Sequence, residues 1–403
     1  MAQFGTRGVI YRGGTSKALL VRTSDLPTQV REELGQWLLV VYGSPDPRQI
    51  DGIGGADPLT SKFGFVGPAS RPDADVDYTF AQVGIHNSMV DWSIMCGNIL
   101  SAIGPYAIDE GLVQAVEPIT TVRIHNTNTG KVVVARVEVS NGKPKTTGDT
   151  SIDGVPGTGS PILLDFKYAA GAKSGKLLPT GNRRDVAEVP GVGPVEYSVV
   201  DIAGMQVFVK ASAFGLTGTE DPLAYEKMTE VGRQIEFLRR KVAVDLGFAS
   251  SIETARAESP MTPFSIIVGP PQDWQLYGTQ EKRLAHNCDV AARCVFDGGM
   301  HKAFPGTGAI PAAVAAAIEG TVVHDVARAE AHAEGAYRIG HPSGTLAVDV
   351  ELNDSGAGVE VEHASLVRTA RRLFEGTVFA EPTRLWRDFD PSLVTTSGEH
   401  RGY

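Results

Sequence analysis

The sequence contains two copies of one local pattern, in which an apolar run enters a Gly-containing turn and then a helix of small residues. The copies are residues 89–103, with the turn Cys96-Gly97-Asn98, and residues 300–318, with the turn Gly306-Thr307-Gly308. Small side chains let such a helix pack deeply, and the N–H groups of its first turn form an anion site. Two helix starts of this kind would suit a substrate with two carboxylates. Two unrelated Gly turns before ordinary core helices would give the same spacing.

Apolar periodicity around these turns predicts a strand-rich chain with few helices. Strands are expected at 8–11 and 18–21, on either side of a Gly-rich turn, and at 62–66, 78–83, 119–125, 131–138, 205–209, 264–268, 345–351 and 357–362. Helices are expected at 29–42, ended by Gly43, and at 222–246, with Asp221 as N-cap and Gly247 as stop. A stretch at 139–195 that is rich in Gly, Pro, Thr and Ser marks the crossover from the first domain to the second. We therefore expect domains at 1–185 and 186–385, followed by a polar tail at 386–403.

Charge and cysteine content exclude several classes of protein. The chain has 37 Lys+Arg against 47 Asp+Glu and no basic run, which argues against a nucleic-acid surface. Its three cysteines fit a reducing cytoplasm better than a disulfide framework. No apolar stretch is long enough to span a membrane. An acidic protein that works on an anion needs a locally positive pocket.

The usual cofactor and metal motifs are missing. Residues 171–177 fail the phosphate-loop pattern, no G-x-G-x-x-G follows a strand, and no H-E-x-x-H occurs. Cys288 and Cys294 have no second pair with which to hold zinc, and both are interpreted as structural. The sequence therefore favours an acid–base enzyme without a metal or an organic cofactor.

Cys96 and Lys62 are the candidates for the proton chemistry. Cys96 directly precedes a probable helix start, where free N–H groups favour a thiolate. Lys62 ends a Gly-rich loop and enters a strand, where burial favours loss of its proton. The alternatives are a cysteine that fills a core gap and a solvated lysine at a strand edge. The triplet Thr-Ser-Lys occurs at residues 60–62 and again at residues 15–17. Two loops with hydroxyl groups and a lysine are therefore available to bind carboxylates.

Taken in order, these segments resemble the PrpF family of methylaconitate and oxalomesaconate isomerases, within the diaminopimelate-epimerase-like fold. The matching segments are 12–17 (RGGTSK), 51–62 (DGIGGADPLTSK), 96–98 (CGN), 125–130 (HNTNTG), 154–159 (GVPGTG), 175–182 (GKLLPTGN), 208–220 (FVKASAFGLTGTE), 301–309 (HKAFPGTGA) and 341–344 (HPSG). They cover roughly residues 5–380.

The resemblance implies an α+β fold of two pseudo-symmetric domains, each a strand-rich layer around a central helix, with the active site between them. It implies that Lys62 and Cys96 are the acid–base pair, and we favour Lys62 as base and Cys96 as proton donor. Substrate-binding residues are then expected to be Arg12, Gly14, Thr15, Ser16, Lys17, Ser61, Gly97, Asn98, Lys302, Gly306, Thr307 and Gly308. Epimerases of this fold that use two cysteines carry a second one where this chain has Pro305.

The function implied is a proton shift, by C=C migration or cis–trans change, in an unsaturated di- or tricarboxylate such as aconitate or methylaconitate. The expected partner is this small polycarboxylate, and a homodimer or higher oligomer is expected. An oxalomesaconate-type keto–enol tautomerase is the enzymatic alternative. An amino-acid epimerase is disfavoured by Pro305, and a non-catalytic acid-binding protein is disfavoured by the presence of both Lys62 and Cys96.

Overall fold

The computed structural model describes residues 4–296, 299–355 and 358–381, and these form two compact units. Unit 1 holds the described residues up to Ser151, residues 157–163 and the described residues from Arg368 onwards. Unit 2 holds residues 152–156 and the described residues within 164–367. The predicted tail at 386–403 lies outside the described residues.

Among the described residues, unit 1 contains nine complete strands and two helices. In chain order they are β1 (Phe4–Gly13), β2 (Ser16–Arg22), α1 (Arg31–Tyr42), β3 (Lys62–Pro68), β4 (Val76–Val83), β5 (Val90–Asp91), α2 (Gly97–Asp109), β6 (Ile119–Asn126), β7 (Lys131–Ser140), β8 (Lys143–Pro144) and, near the C-terminus, β21 (Ala370–Ala380). Strand β9 (Ile162–Asp165) begins in unit 1 and ends in unit 2.

Unit 2 carries the remaining elements. They are β10 (Asp185–Val189), β11 (Gly193–Asp201), β12 (Met205–Lys210), α3 (Pro222–Tyr225), α4 (Thr229–Asp245), α5 (Ala255–Glu258), β13 (Phe264–Gly269), β14 (Trp274–Gln275), β15 (Lys282–Arg283), β16 (Val290–Phe296), β17 (Gly299–Met300), α6 (Gly306–Ala317), α7 (Ala329–Glu334), β18 (Ala336–His341), β19 (Gly344–Asp354) and β20 (Val359–Arg368). Short 3-10 turns lie at 23–25, 167–169, 211–214, 285–287 and 324–326.

The strands of unit 1 form a layer around helix α2. β1 and β2 form an antiparallel hairpin, β2 pairs in parallel with β3, and β3 pairs antiparallel with β4. β4 pairs antiparallel with β5 and in parallel with β6, and β6 pairs antiparallel with β7. Helix α2 packs against β1, β2, β6, β7 and β21 and is buried along almost its whole length. This is the predicted strand-rich layer around a central helix.

Helix α1 covers the opposite side of the same layer. Its buried residues, among them Trp37 and Leu38, pack with Leu19, Phe63 and Ala81 of the strands. Gly43 ends α1 in the left-handed conformation at φ 72°, as the sequence predicts. The strand residues next to these core positions therefore point to the other side, towards α2.

Unit 2 repeats the strand order of unit 1. β11–β12 are antiparallel, β12–β13 parallel, β13–β16 antiparallel, β16–β17 antiparallel, β16–β18 parallel and β18–β19 antiparallel. The buried helix α6 takes the place of α2, and α4 takes the place of α1. The two copies of the sequence pattern are thus the starts of the two central helices.

Two expectations about the chain need correction. The structure divides the chain elsewhere than at residue 185, because Gly171 N donates to Asp201 O at 2.7 Å and β21 pairs with β1. The helix expected at 222–246 is broken into α3 and α4, since Met228 has the non-helical dihedrals φ −87° and ψ 56°. Asp221 does cap its start, accepting bonds from Leu223 N and Ala224 N.

Several strands were missed by the apolar pattern. Strand β16 is one of them, because its apolar run is interrupted by Arg293, which is fully buried and donates to Glu220 O at 2.8 Å. The other long ones are β10, β11, β18 and β21. Among the described residues, no helix combines the length and apolar character needed to cross a bilayer.

Candidate active site

The Gly-rich turn between β1 and β2 lies directly on the start of α2. A Cβ atom at Gly13 would be 2.4 Å from the backbone oxygen of Asn98, and one at Gly14 would be 2.2 Å from Asn98 Oδ1. Gly14 also has φ +51°, which disfavours other residues. The turn therefore needs glycine at both positions because the backbone approaches the helix so closely.

Polar groups of this turn face the first residues of α2. Asn98 Nδ2 donates to Thr15 Oγ1 at 3.1 Å, while Asn98 Oδ1 has no partner among the described residues. The hydroxyl of Ser16 is also buried without a partner there. The Ser16 hydroxyl and the N–H groups of Gly97 and Asn98 at the helix N-terminus are donors suited to a carboxylate.

Cys96 is the N-cap residue of α2, as its position in the sequence predicts. It has extended backbone dihedrals, its carbonyl accepts the first helical bond from Leu100 N at 2.9 Å, and the residue is partly exposed. The buried phenol of Tyr78 lies within electrostatic range of it. Burial raises the pKa of Tyr78 well above its usual range, and negative charge on Cys96 would raise it further. Tyr78 is therefore a neutral phenol on the α2-facing side of β4.

Lys62 is the first residue of β3 and is 8% exposed. Its Nζ donates to Gln82 Oε1 at 2.6 Å and lies 5.4 Å from the centre of the Phe80 ring. The Tyr42 hydroxyl donates to its backbone oxygen and holds the start of the strand. Lys62 is thus a buried, ordered amine rather than a solvated lysine at a strand edge.

Lys62, Gln82 and Asp91 form a row across three neighbouring strands. Lys62 pairs with Gln82, and Gln82 pairs with Asp91, so the three side chains leave the same side of the layer. This side faces α2, because Phe63, Ala81 and Trp92 pack on the α1 side. Asp91 accepts a bond from Ser93 N at 2.7 Å, and its other oxygen is buried without a partner among the described residues.

Gln82, Asp91 and Tyr78 were missed from the sequence. Tyr78 and Gln82 lie in a strand that the apolar pattern predicts, at 78–83. Polar residues on the same side of that strand as Lys62 could have been selected as candidates. That selection requires the register between β3 and β4, which the sequence does not give.

Three residues expected in the site have other surroundings. Lys17 and Arg12 pair with each other and lie on the opposite side of the hairpin from Ser16. Arg12 Nη1 donates to the carbonyls of Gly14 and Thr369 at 3.0 and 2.9 Å. Ser61 is fully buried, and its hydroxyl donates to Gln49 Oε1 at 2.8 Å. The local arrangement therefore gives Arg12 and Ser61 a role in holding the turns.

The remaining predicted residues lie in unit 2. Gly306, Thr307 and Gly308 are the buried first turn of α6, and Thr307 O accepts a bond from Gln206 Nε2 at 3.3 Å. Lys302 is exposed, with its Nζ 5.9 Å from the Tyr277 ring centre. Their part in substrate binding stays a prediction.

The shared strand order identifies the counterparts of the site in unit 2. Strand β13 corresponds to β3, since β3 pairs in parallel with β2 and β13 pairs in parallel with β12, and β13 begins with Phe264 where β3 begins with Lys62. Pro305 caps α6 where Cys96 caps α2. The equivalents in unit 2 have no group that exchanges a proton.

The other two cysteines are unsuited to proton transfer. Burial raises the pKa of Cys288 to about 11, with Asp289 adding to the rise, and burial raises that of Cys294 to about 12. Both are fully buried, which agrees with a structural role. Within the described ranges, no group of three or more His, Cys, Asp and Glu side chains is placed to hold a metal ion.

Curated relatives match almost the whole chain. It is 45% identical over 377 residues to a 3-methylitaconate isomerase of Eubacterium barkeri, covering 94% of this chain and 97% of that protein. It is 38% identical to a 2-methyl-aconitate isomerase of Cupriavidus necator, covering 91% and 95% of the two chains. It is 37% identical to a 4-oxalomesaconate tautomerase of Pseudomonas putida, covering 92% and 94%.

Solved structures also match almost the whole chain. A crystal structure of methylitaconate-delta-isomerase is similar with a TM-score of 0.80 and 44% identity, covering 96% of this chain and 98% of that one. A hydroxyproline epimerase from Agrobacterium vitis shares the fold, with a TM-score of 0.54 and 12% identity over 94% of both chains. The family model described as PrpF protein matches residues 3–381. The chain therefore belongs to the PrpF family.

Proposed function

We propose that this protein is a cofactor-independent isomerase that moves a proton within an unsaturated di- or tricarboxylic acid, with Lys62 and Cys96 as its acid–base pair. The observation that carries the proposal is the placement of these two groups in unit 1. A buried amine on the α2-facing side of the sheet is combined with a partly exposed cysteine at the N-cap position of α2.

The reaction needs one proton removed and one returned. The base takes a proton from the carbon next to the C=C unit, the C–H electron pair forms a new C=C bond, and the old double bond becomes part of a dienolate. The acid then protonates a different carbon of the conjugated system. No electrons are gained or lost overall. We assign Lys62 as base and Cys96 as acid, and the order of the two stays a prediction.

The costly species is the dienolate, whose charge spreads onto a carboxylate. The N–H groups at the start of α2 and the hydroxyl of Ser16 are donors for such a charge. Gln82 and Tyr78 add polar groups without negative charge. The glycines of the β1–β2 turn allow the backbone to approach the helix start closely, which fixes these donors before the substrate binds.

Racemisation by two acid–base groups is disfavoured by the residue at the start of α6. An enzyme that inverts a carbon with two thiols needs an acid–base group at both helix starts, and this chain has Pro305 at the second one. A keto–enol tautomerase remains a second candidate, supported by the similarity to the Pseudomonas putida relative. It would use the same pair, with one proton leaving an enol oxygen rather than a carbon. A cytoplasmic location and a homo-oligomeric state stay predictions.

The test is proton NMR in D₂O with a panel of unsaturated acids. The panel contains methylitaconate, cis- and trans-aconitate, oxalomesaconate and, as a monoacid, crotonate. We expect deuterium uptake or isomer conversion with at least one polyacid, and loss of both in Lys62→Met and Cys96→Ala. Conversion that continues unchanged in both variants, or a panel in which every acid stays unaltered, would refute the proposal.

A further inference from the structure

The side chain of Gln82 fixes the amine of Lys62. Gln82 Oε1 accepts the bond from Lys62 Nζ at 2.6 Å, while its Nε2 donates to Pro58 O at 3.1 Å and to Ser61 O at 3.0 Å. Both N–H bonds of the amide end on backbone carbonyls, so the amide cannot turn over without losing them. Its oxygen is therefore directed at Lys62 by the loop that precedes β3.

Because the Gln82 amide is a neutral acceptor, it can bond the Lys62 amine in both of its protonation states. The amide oxygen receives one N–H from Lys62 in both protonation states, because a neutral amine still has two N–H groups. It cannot donate to the amine, so the lone pair of neutral Lys62 points elsewhere. A carboxylate in this position would instead hold the ammonium form.

The other groups on this side of the layer leave Gln82 as the bonded partner of Lys62. Asp91 lies one strand beyond Gln82, with one oxygen bonded to Ser93 N. Tyr78 on β4 and Cys96 at the start of α2 are titratable groups on the same side, while Ala18, the partner of Lys62 on β2, has no titratable side chain. The Phe80 ring contacts the amine from β4.

We propose that Gln82 is a positioning residue that orients Lys62 for proton exchange and keeps its proton removable. The inference rests on the proposed function, since it assumes that Lys62 takes part in the reaction. The amide oxygen of Gln82 holds the amine, and the two bonds from Gln82 Nε2 to backbone carbonyls direct that oxygen.

The test compares Gln82→Glu and Gln82→Met with wild type. Both variants lose the bonds to Pro58 O and Ser61 O, and only the first adds a charge beside Lys62. We expect Gln82→Met to lower kcat about ten- to a hundredfold, with KM within about threefold, because the amine is no longer held. We expect Gln82→Glu to move the limb of the pH–rate profile that reports Lys62 upward by about one pH unit or more. Gln114→Glu, an exposed glutamine of unit 1, is the matched control and should leave the profile unchanged.

The outcomes separate this inference from the proposed function. Lys62→Met that keeps full deuterium exchange refutes the function itself, whatever Gln82 does. If Lys62→Met is inactive while Gln82→Glu has an unshifted profile, or Gln82→Met keeps wild-type kcat, Gln82 is not a positioning residue. A raised KM with unchanged kcat and profile would make it a substrate contact and would overturn the proposal as well. Thermal unfolding of each variant identifies loss of fold, and the near-isosteric Glu variant decides the matter if the Met variant is unstable.

Discussion

Gly14 and Asn98 are in direct contact: the position of a Cβ on Gly14 lies 2.2 Å from Asn98 Oδ1. This contact sets the turn of the first hairpin against the first residues of α2, the helix that Cys96 caps. Any side chain at residue 14 must displace Asn98, and with it the bond from Asn98 Nδ2 to Thr15. The conformation of the Gly-rich turn and the geometry of the proposed catalytic thiol are therefore linked.

We predict that Gly14→Ala lowers both stability and turnover. The backbone at φ +51° costs about 1 kcal/mol for alanine, and the contact with Asn98 adds to it. Gly111→Ala is the matched control, because Gly111 has φ +68° but open space around its Cβ position. Urea unfolding should show the larger loss in Gly14→Ala, and only that variant should lose kcat/KM. Equal losses in the two variants would show that the contact has no separate effect.

The acid–base assignment predicts large effects at two positions. Lys62→Met and Cys96→Ala should each lower kcat by about a hundredfold or more, the usual scale for losing a general acid or base. Cys294→Ala should keep kcat near wild type, because that buried thiol lies in the core of unit 2. The measurement is steady-state turnover on the acid identified by NMR. A dispensable Cys96 together with an essential Cys294 would contradict the assignment.

The burial of the cysteines predicts selective alkylation. At pH 8, iodoacetamide should modify Cys96 alone in the native protein, since Cys96 is partly exposed while the other two thiols are buried. The pKa of Cys288, about 11, and that of Cys294, about 12, lie far above this pH. Peptide mapping by mass spectrometry should find three modified cysteines only after unfolding. Labelling of Cys288 at the rate of Cys96 in the native state would refute this prediction.

The buried carboxylate of Glu110 is expected to cause part of the loss of stability of unit 1 at low pH. Burial alone would raise the pKa of Glu110, but bonds from Arg7 at 2.7 Å and Arg372 at 3.0 Å outweigh it and hold the pKa below its ordinary value of 4.5. The ionised group therefore stabilises the fold above about pH 4.5, and this contribution is lost as the pH falls through the lowered pKa.

The test is the free energy of unfolding of Glu110→Gln between pH 7 and pH 3. We expect a deficit of about 1–3 kcal/mol at pH 7, because the arginines lose a buried partner. The deficit should shrink below about pH 4.5 as wild-type Glu110 becomes protonated. Glu375→Gln is the control, since Glu375 binds the same two arginines but its side chain is 47% exposed. Its deficit should be clearly smaller than that of Glu110→Gln, and a deficit for Glu110→Gln that is constant with pH would contradict the mechanism.

The sequence by itself determined the local features of this protein. Both central helix starts, Cys96 as a cap, Gly43 as a helix end and most of the long strands follow from glycine, capping and apolar periodicity, which act between near neighbours. The ordered motifs likewise identified the family and the placement of Lys62 at the entrance of a strand.

Only the tertiary structure decided which residues meet. Gln82 lies beside Lys62, and Lys62 lies beside Ala18, through strand registers that join separate segments of the chain. A slip of one residue would reverse every side chain between the two sides of a strand, so apolar periodicity alone cannot choose these partners. The division into units has the same origin, because β21 joins β1 by pairing across the length of the described chain.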